Sequence, residues 1–146
     1  MNLELSGKGG GDGAIETVVP LRWRDMDAYG HVNHAVYLTY LEQGRDAALT
    51  RTLRDAPGEA GYVVARVEID YRRELRLDDG PVIVSCRFAT IGGSSVRTCE
   101  SIVTSAGVLA AEAQAVIVSF DRETRRGRPW TEAQREAFVA AGAESP

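Results

Sequence analysis

Asp25, Asp27, His31, Asn33 and His34 fall within ten residues of one another, in the run RDMDAYGHVNH from Arg24 to His34. They include both histidines of the chain, and an apolar helical pattern follows at once. Asn33 is a good N-cap, with a side chain able to accept from the amide of Val36. The amides of His34 and Ala35 then belong to the first turn and lack intrahelical acceptors. The helix dipole adds partial positive charge at that end. A carbonyl oxygen placed there would be polarised, and an oxyanion stabilised. Asp27, seven residues before His34, could attack the carbonyl carbon or activate a water. That assembles an acyl-transfer site with no serine or cysteine nucleophile.

The same residues admit plainer readings. Two aspartates before a helix are explained equally by turn hydrogen bonds. His34 reads as a solvated first-turn histidine, and Asn33 as a cap and no more. Gly30 supplies either a turn with positive φ or room for a ligand. His31 and His34 with Asp25 or Asp27 invite a metal reading. Two histidines three apart across a helix start need not face one point, and no Cys or Glu completes a pattern, so no metal is assigned. A serine hydrolase lacks its G-x-S-x-G, and Gly92-Gly93-Ser94-Ser95 reads as a hairpin.

The scaffold around this stretch follows from pattern. Thr17 to Trp23 reads as a first strand with Val19, Leu21 and Trp23 facing one way. His34 to Arg54 reads as one long helix. Tyr37, Tyr40, Leu41, Gly44 and Ala48 lie on one face, and Glu42, Arg45 and Asp46 on the other. Gly44 inside a helix fits a close approach to a sheet. Tyr62 to Tyr71 alternates, with Val63, Ala65, Val67, Ile69 and Tyr71 on one side. Val82 to Thr90, Ser94 to Thr104 and Val108 to Phe120 complete four strands separated by turn signals. Small residues at Ala111, Ala113 and Ala115 would let the helix pack closely there. Thr131 opens a short helix, with Gln134 at capping-box spacing. The order is strand, long helix, four antiparallel strands, which one sheet wrapped around one helix satisfies. Five strands leave open edges, which dimerisation would manage.

Composition bounds the classes. At 146 residues with 44% hydrophobic and 26% charged residues, a single globular domain is expected. Residues 1–15, with KGGGDG, read as a flexible tail, and 16–146 as the domain. A net charge of −4 argues against nucleic acid as main partner. Cys86 and Cys99 are too few for a disulfide framework and read as free thiols. No signal peptide and no apolar run of membrane-span length is visible, so neither a membrane partner nor export is expected, and the location expected is the cytoplasm.

The stretch VPLRWRDMDAYGHVNHAVYLTYLEQGR resembles the signature of hot-dog-fold acyl-CoA thioesterases of the 4-hydroxybenzoyl-CoA thioesterase type. The likeness rests on Trp23-Arg24-Asp25-Met26-Asp27, Gly30-His31-Val32-Asn33-His34, Tyr37, Tyr40-Leu41-Glu42 and Arg45. Element order extends it from Thr17 to Phe120. The resemblance implies an α+β hot-dog fold, a long central helix wrapped by a five-stranded antiparallel sheet. It implies homodimers or homotetramers with sites at the subunit interface. It also implies hydrolysis of an acyl-CoA without a cofactor, coenzyme A being part of the substrate. Asp27 takes the place of the catalytic carboxylate, and the His34 amide that of the oxyanion donor. Gly30, Asn33, Tyr37 and Ser94 are candidate substrate contacts, Tyr37 at the acyl pocket. The chain departs from the pattern at Gly92, Gly93 and Ser94, where the best-known aromatic-acyl member has basic residues that meet coenzyme A phosphates. Arg125, Arg126 and Arg128, or Arg72 and Arg73, are candidates for that task here, though a solvated basic loop explains them too. Two rival readings stay open: a non-catalytic acyl-CoA or acyl-carrier binding module, and a hot-dog dehydratase or hydratase. Acyl-chain preference is not fixed by these residues.

Overall fold

The computed structural model describes residues 13–58 and 61–146. Most of the stretch read as a flexible tail therefore lies outside the described residues, and Ile15, its last member, already pairs in a sheet. Strand β1 spans Ile15–Val19 and is followed by helix α1, His34–Thr52. Strands β2 (Tyr62–Tyr71), β3 (Val82–Ile91), β4 (Ser95–Val103) and β5 (Leu109–Asp121) come next. A two-residue β6, Arg126–Gly127, and helix α2, Glu132–Ala140, close the chain. The five main strands run in the order β1-β3-β4-β5-β2, with every neighbour antiparallel. The expected hot-dog arrangement is present, with β6 as an addition on the end of β5.

At 19 residues α1 is about 28 Å long, enough to run across the sheet. Its buried stripe divides the core in two. Near its start, Tyr37, Tyr40 and Leu41 meet Val82, Val84 and Ile102. Toward its end, Ala48 and Leu49 meet Phe88, Ile91 and Ile117, with Trp130 and Phe138 brought in by the α2 segment. Leu41 is fully buried, a burial that stabilises by roughly 1.5–3 kcal/mol. The helix lies mainly over β1, β3 and β4. Gly44 packs closely on Val84 of β3, where a β-carbon would sit 2.9 Å from Val84 Cβ. The close approach is therefore on β3, and not on the alanines of β5 as their size suggested.

Four further details differ from the sequence reading. The first strand stops at Val19, because Pro20 cannot donate to a ladder. The chain then turns into a 3-10 segment at Trp23–Asp25, leaving Trp23 80% exposed instead of sharing a strand face with buried Val19. The register of β2 on β5 shifts between Val64 and Arg66. That bulge interposes Ala65 and reverses the faces before it. Val64 pairs with buried Ile117 on the core side, along with Val67, Ile69 and Tyr71, while Val63 turns the other way. Arg45, read as outward, is buried and forms a two-pronged pair with Glu100 of β4, at 2.9 and 2.8 Å. The Thr98 hydroxyl donates to the same carboxylate.

Both cysteines are unbridged. Burial pushes the Cys86 thiol pKa far up, which keeps it protonated. Among the described residues no helix is long and apolar enough to cross a membrane.

Candidate active site

The loop between β1 and α1 is built around Asp25. Its carboxylate accepts from the Arg22 amide at 3.1 Å, from the Arg22 guanidinium at 2.9 Å and from the Tyr40 hydroxyl at 2.7 Å. Burial pushes the Asp25 carboxyl up, but the bonds from Arg22 and Tyr40 outweigh it and hold its pKa below the usual range. The Tyr40 phenol is driven the other way, by burial first and then by the neighbouring carboxylate. The Asp25 carbonyl accepts the Asn33 amide at 3.0 Å. That bond closes the intervening loop onto the residue that caps α1. Val32, buried beside it, donates its amide to the Leu75 carbonyl at 2.7 Å.

Inside this closed loop Met26 and Val32 form an antiparallel bridge. Asp27 donates its amide to the His31 carbonyl at 2.9 Å, and its own carbonyl accepts from Gly30 at 3.1 Å. Gly30 has φ +81° with open space where a β-carbon would be, so it serves the turn and leaves room above it. The side chain of Asp27 is 23% exposed. Its Oδ1 accepts the Tyr29 amide at 2.9 Å. Its Oδ2 lies 3.5 Å from His31 Nδ1, which also stands 3.4 Å from the Val32 carbonyl. The loop thus presents one carboxylate oxygen toward a histidine ring, next to the helix start.

At that start Asn33 is the N-cap, as expected, but its side chain accepts from Ala35 at 2.9 Å instead of Val36. The Val36 amide goes to the Asn33 backbone carbonyl. With both later amides satisfied, His34 N–H is the first-turn donor left for a ligand. The His34 ring is exposed and the His34 carbonyl accepts the Tyr71 hydroxyl at 3.0 Å. Tyr71 meets His34 edge-on at 6.2 Å and Tyr37 at 5.1 Å. Tyr37 is only 3% exposed, and its hydroxyl donates to the Arg73 carbonyl. It therefore backs the site from the core.

The loop and helix start gather Asp27, Gly30, Asn33 and His34, with Tyr37 behind them. Ser94 is elsewhere. It lies on the β3–β4 hairpin beside the C-terminal half of the core, where its carbonyl accepts the Ser119 amide. One chain does not bring Ser94 to the helix start. Nor does that hairpin stand open: its Gly92, Gly93 and Ser95 carbonyls accept from Arg135 and Trp130. Arg72 is engaged with Glu112 at 3.0 Å and lies 3.7 Å from Asp70. Arg125 lies at the opposite end of the molecule, over the Phe120 ring. Tyr71 and Tyr40 were not singled out for the loop by sequence reasoning. Their signal is faint: Tyr40 lies on the buried stripe of α1, where a phenol needs a partner, and Tyr71 only ends the alternating pattern of β2. Among the described residues no three His, Cys, Asp or Glu side chains gather as metal ligands.

A family model described as the thioesterase-like superfamily matches residues 21–138. The solved structure of a thioesterase from Thermus thermophilus, complexed with coenzyme A and Zn, is 37% identical with a TM-score of 0.78. That match covers 90% of this chain and 95% of the other. A predicted thioesterase from Bacillus stearothermophilus is 26% identical with a TM-score of 0.78, over 91% and 98% of the two chains. The long-chain acyl-CoA thioesterase FadM of Escherichia coli (strain K12) is 28% identical over 117 residues, 77% of this chain and 87% of that protein.

Proposed function

The chain belongs to the thioesterase-like superfamily, and from that premise we propose that it hydrolyses an acyl-CoA thioester to the free acid and coenzyme A. Relatives described as an acyl-CoA thioesterase and as a thioesterase holding coenzyme A support that substrate class. The observation that carries the reading is the pairing of Asp27, partly exposed on a closed loop, with the uncapped His34 amide at the start of α1.

In this mechanism the thioester carbonyl oxygen faces His34 N–H. The Asp27 carboxylate either adds to the carbonyl carbon or takes a proton from the water that adds. In both forms negative charge develops on the carbonyl oxygen, where the amide and the helix dipole stabilise it. The C–S bond then breaks, the thiolate leaves and takes up a proton, and the acid is released. Addition by Asp27 itself gives an anhydride that a water must open. His31, 3.5 Å from Asp27 Oδ2, positions the carboxylate. Gly30 leaves space for the acyl thioester, Asn33 holds the amide pattern, and Tyr37 and Tyr71 wall the acyl side. The reading calls for no resident cofactor.

The outer edge of β2, unpaired among the described residues, fits a second copy of this chain. Val63 and Val64 are 41% exposed and Tyr71 44%. A sheet edge with such side chains calls for cover. The working form is thus a homodimer or a multiple of it, in the cytoplasm. Ser94 would then reach a site only as part of the second copy.

The test is a panel of acyl-CoA esters, aromatic and aliphatic, with release of free thiol measured. Asp27→Asn should lower kcat by about 10²–10⁴-fold. Thiol release undiminished in that variant would sink the assignment of roles.

A further inference from the structure

Strand β2 is tied to helix α1 at both of its ends by a tyrosine hydroxyl. Tyr62, its first residue, donates to Asp46 Oδ1 at 2.8 Å. Tyr71, its last, donates to the His34 carbonyl at 3.0 Å. The first bond meets an exposed side chain, twelve residues along the helix from His34. The second meets the backbone of the residue whose amide is left for a ligand.

The Tyr71 ring is held for that second task. Its partner across the sheet is Ala111, small and fully buried. The strand ends at Tyr71, and the Arg72 and Arg73 amides both donate to the Ala110 carbonyl, at 2.8 and 3.1 Å. The backbone that carries the ring is therefore fixed on either side of it. The ring meets Tyr37 edge-on at 5.1 Å, and Tyr37 is itself pinned by its hydroxyl on the Arg73 carbonyl.

The first turn is where a helix has fewest bonds of its own, and helix ends fray. Here the turn is anchored at two points. On the loop side the Asn33 amide donates to the Asp25 carbonyl at 3.0 Å. On the sheet side Tyr71 holds the His34 carbonyl. The peptide that carries His34 N–H lies between the two. A carbonyl oxygen has two lone pairs, so the phenol takes one and leaves the other for the amide four residues on. A donor stabilises a developing oxyanion when it is already aimed, to within about 0.5 Å and 10–20°.

We infer that Tyr71 is the positioning residue of the oxyanion donor: its hydroxyl fixes the His34 carbonyl, and with it the direction of His34 N–H. This role rests on the acyl-CoA reading, which puts the thioester oxygen at that amide. It divides one side chain into two parts. The ring walls the acyl group, and the hydroxyl serves the backbone.

The experiment uses the full chain. Tyr71→Phe keeps the ring and loses the hydroxyl. Tyr62→Phe loses the matching hydroxyl at the other end of the strand and is the control. In Tyr71→Phe, kcat for an acyl-CoA ester should fall about threefold to tenfold with KM unchanged, as expected for one neutral hydrogen bond expressed in the transition state. Tyr62→Phe should leave both constants where they are. A second readout needs no turnover. The 15N order parameter of the His34 amide, at the rigid value of about 0.85 in the wild type, should drop in Tyr71→Phe and hold in Tyr62→Phe. That drop supports the positioning role even in a chain that cleaves no thioester, where the acyl-CoA reading fails by itself. An unchanged order parameter in Tyr71→Phe overturns the role. So does an active wild type whose kcat stays constant in Tyr71→Phe while KM rises, or falls as far in Tyr62→Phe, or does not change in either.

Discussion

Replacing Asp25 with asparagine should lower the melting temperature by about 2–6 °C, while the same change at Asp27 should leave it nearly unmoved and remove the activity. The magnitude follows from who faces the carboxylate. Oδ2 of Asp25 accepts the Tyr40 hydroxyl and the Arg22 amide, and Oδ1 accepts the Arg22 guanidinium. An asparagine has one acceptor oxygen. In the Oδ2 place it keeps the Tyr40 hydroxyl and the Arg22 amide, and its NH2 faces the Arg22 guanidinium, which can turn to water and is assigned nothing. The bond from Tyr40, 1% exposed, is kept but loses its charge assistance. A bond to a charged group is worth about 1.5–3 kcal/mol and a neutral one about 0.5–1.5, so the change costs about 1–1.5 kcal/mol. In a domain of this size 1 kcal/mol moves the melting temperature by about 2–4 °C. In Asp27→Asn the new side chain would still accept the Tyr29 amide through its oxygen, so the effect should stay within about 0.5 kcal/mol. Thermal melts by circular dichroism and thiol release from acyl-CoA, run on both variants, decide it. A melting loss in Asp27→Asn with none in Asp25→Asn would refute the division of roles.

The same carboxylate sets a pH limb. The Asp25 pKa in the folded chain lies below its ordinary value. Its stabilising contribution is therefore complete above the unfolded pKa of about 3.9 and is lost as pH falls through the folded one. Below about pH 4 the wild type should lose melting temperature more steeply than Asp25→Asn.

Two further substitutions probe the frame that carries the loop. Glu100→Leu leaves Arg45 charged and buried, and should cost about 3–5 kcal/mol by urea denaturation. Adding Arg45→Met should recover most of that, because an apolar pair of similar size is often neutral; equal losses in the single and double variants would contradict it. Gly44→Ala gains about 1 kcal/mol of helix propensity but forces a methyl onto Val84, where overpacking costs about 1–3 kcal/mol. A net loss is expected, relieved when Val84→Ala is combined with it, and a stabilised Gly44→Ala single variant would disprove the close approach.

The helix was legible because its signals are local: Asn33 as cap, apolar residues at helical spacing, and Gly44 marking an approach to a sheet. What was not legible depended on partners distant in sequence. Arg45 reads as outward until Glu100, 55 residues on, is seen across the core from it. The residues of β2 alternate without a flaw, yet the bulge at Ala65 belongs to its pairing with β5 and reverses the strand's first three residues. Asp25 and Asp27 are the same residue type in the same loop. Only Arg22, three residues back, and Tyr40, a turn and a half into α1, make the first structural.

On the proposed mechanism, the loop's construction would tie its chemistry to the edge of the sheet. The helix start is held from below by Asp25 and Val32, through Asn33 and Leu75. From the side it is held by Tyr71, whose hydroxyl reaches the His34 carbonyl. Tyr71 is the last residue of β2, the strand at the edge of the sheet. A neighbour that pairs with β2 would fix the ring of Tyr71, and through it the peptide whose preceding amide would face the substrate on the proposed mechanism. Preorganised donors stabilise charge without reorganising during the reaction. On the proposed mechanism, assembly would supply the missing wall of the acyl pocket and would also steady the oxyanion donor. On that reading the geometry of α1 and the oligomer would be parts of one device, joined at a single tyrosine hydroxyl.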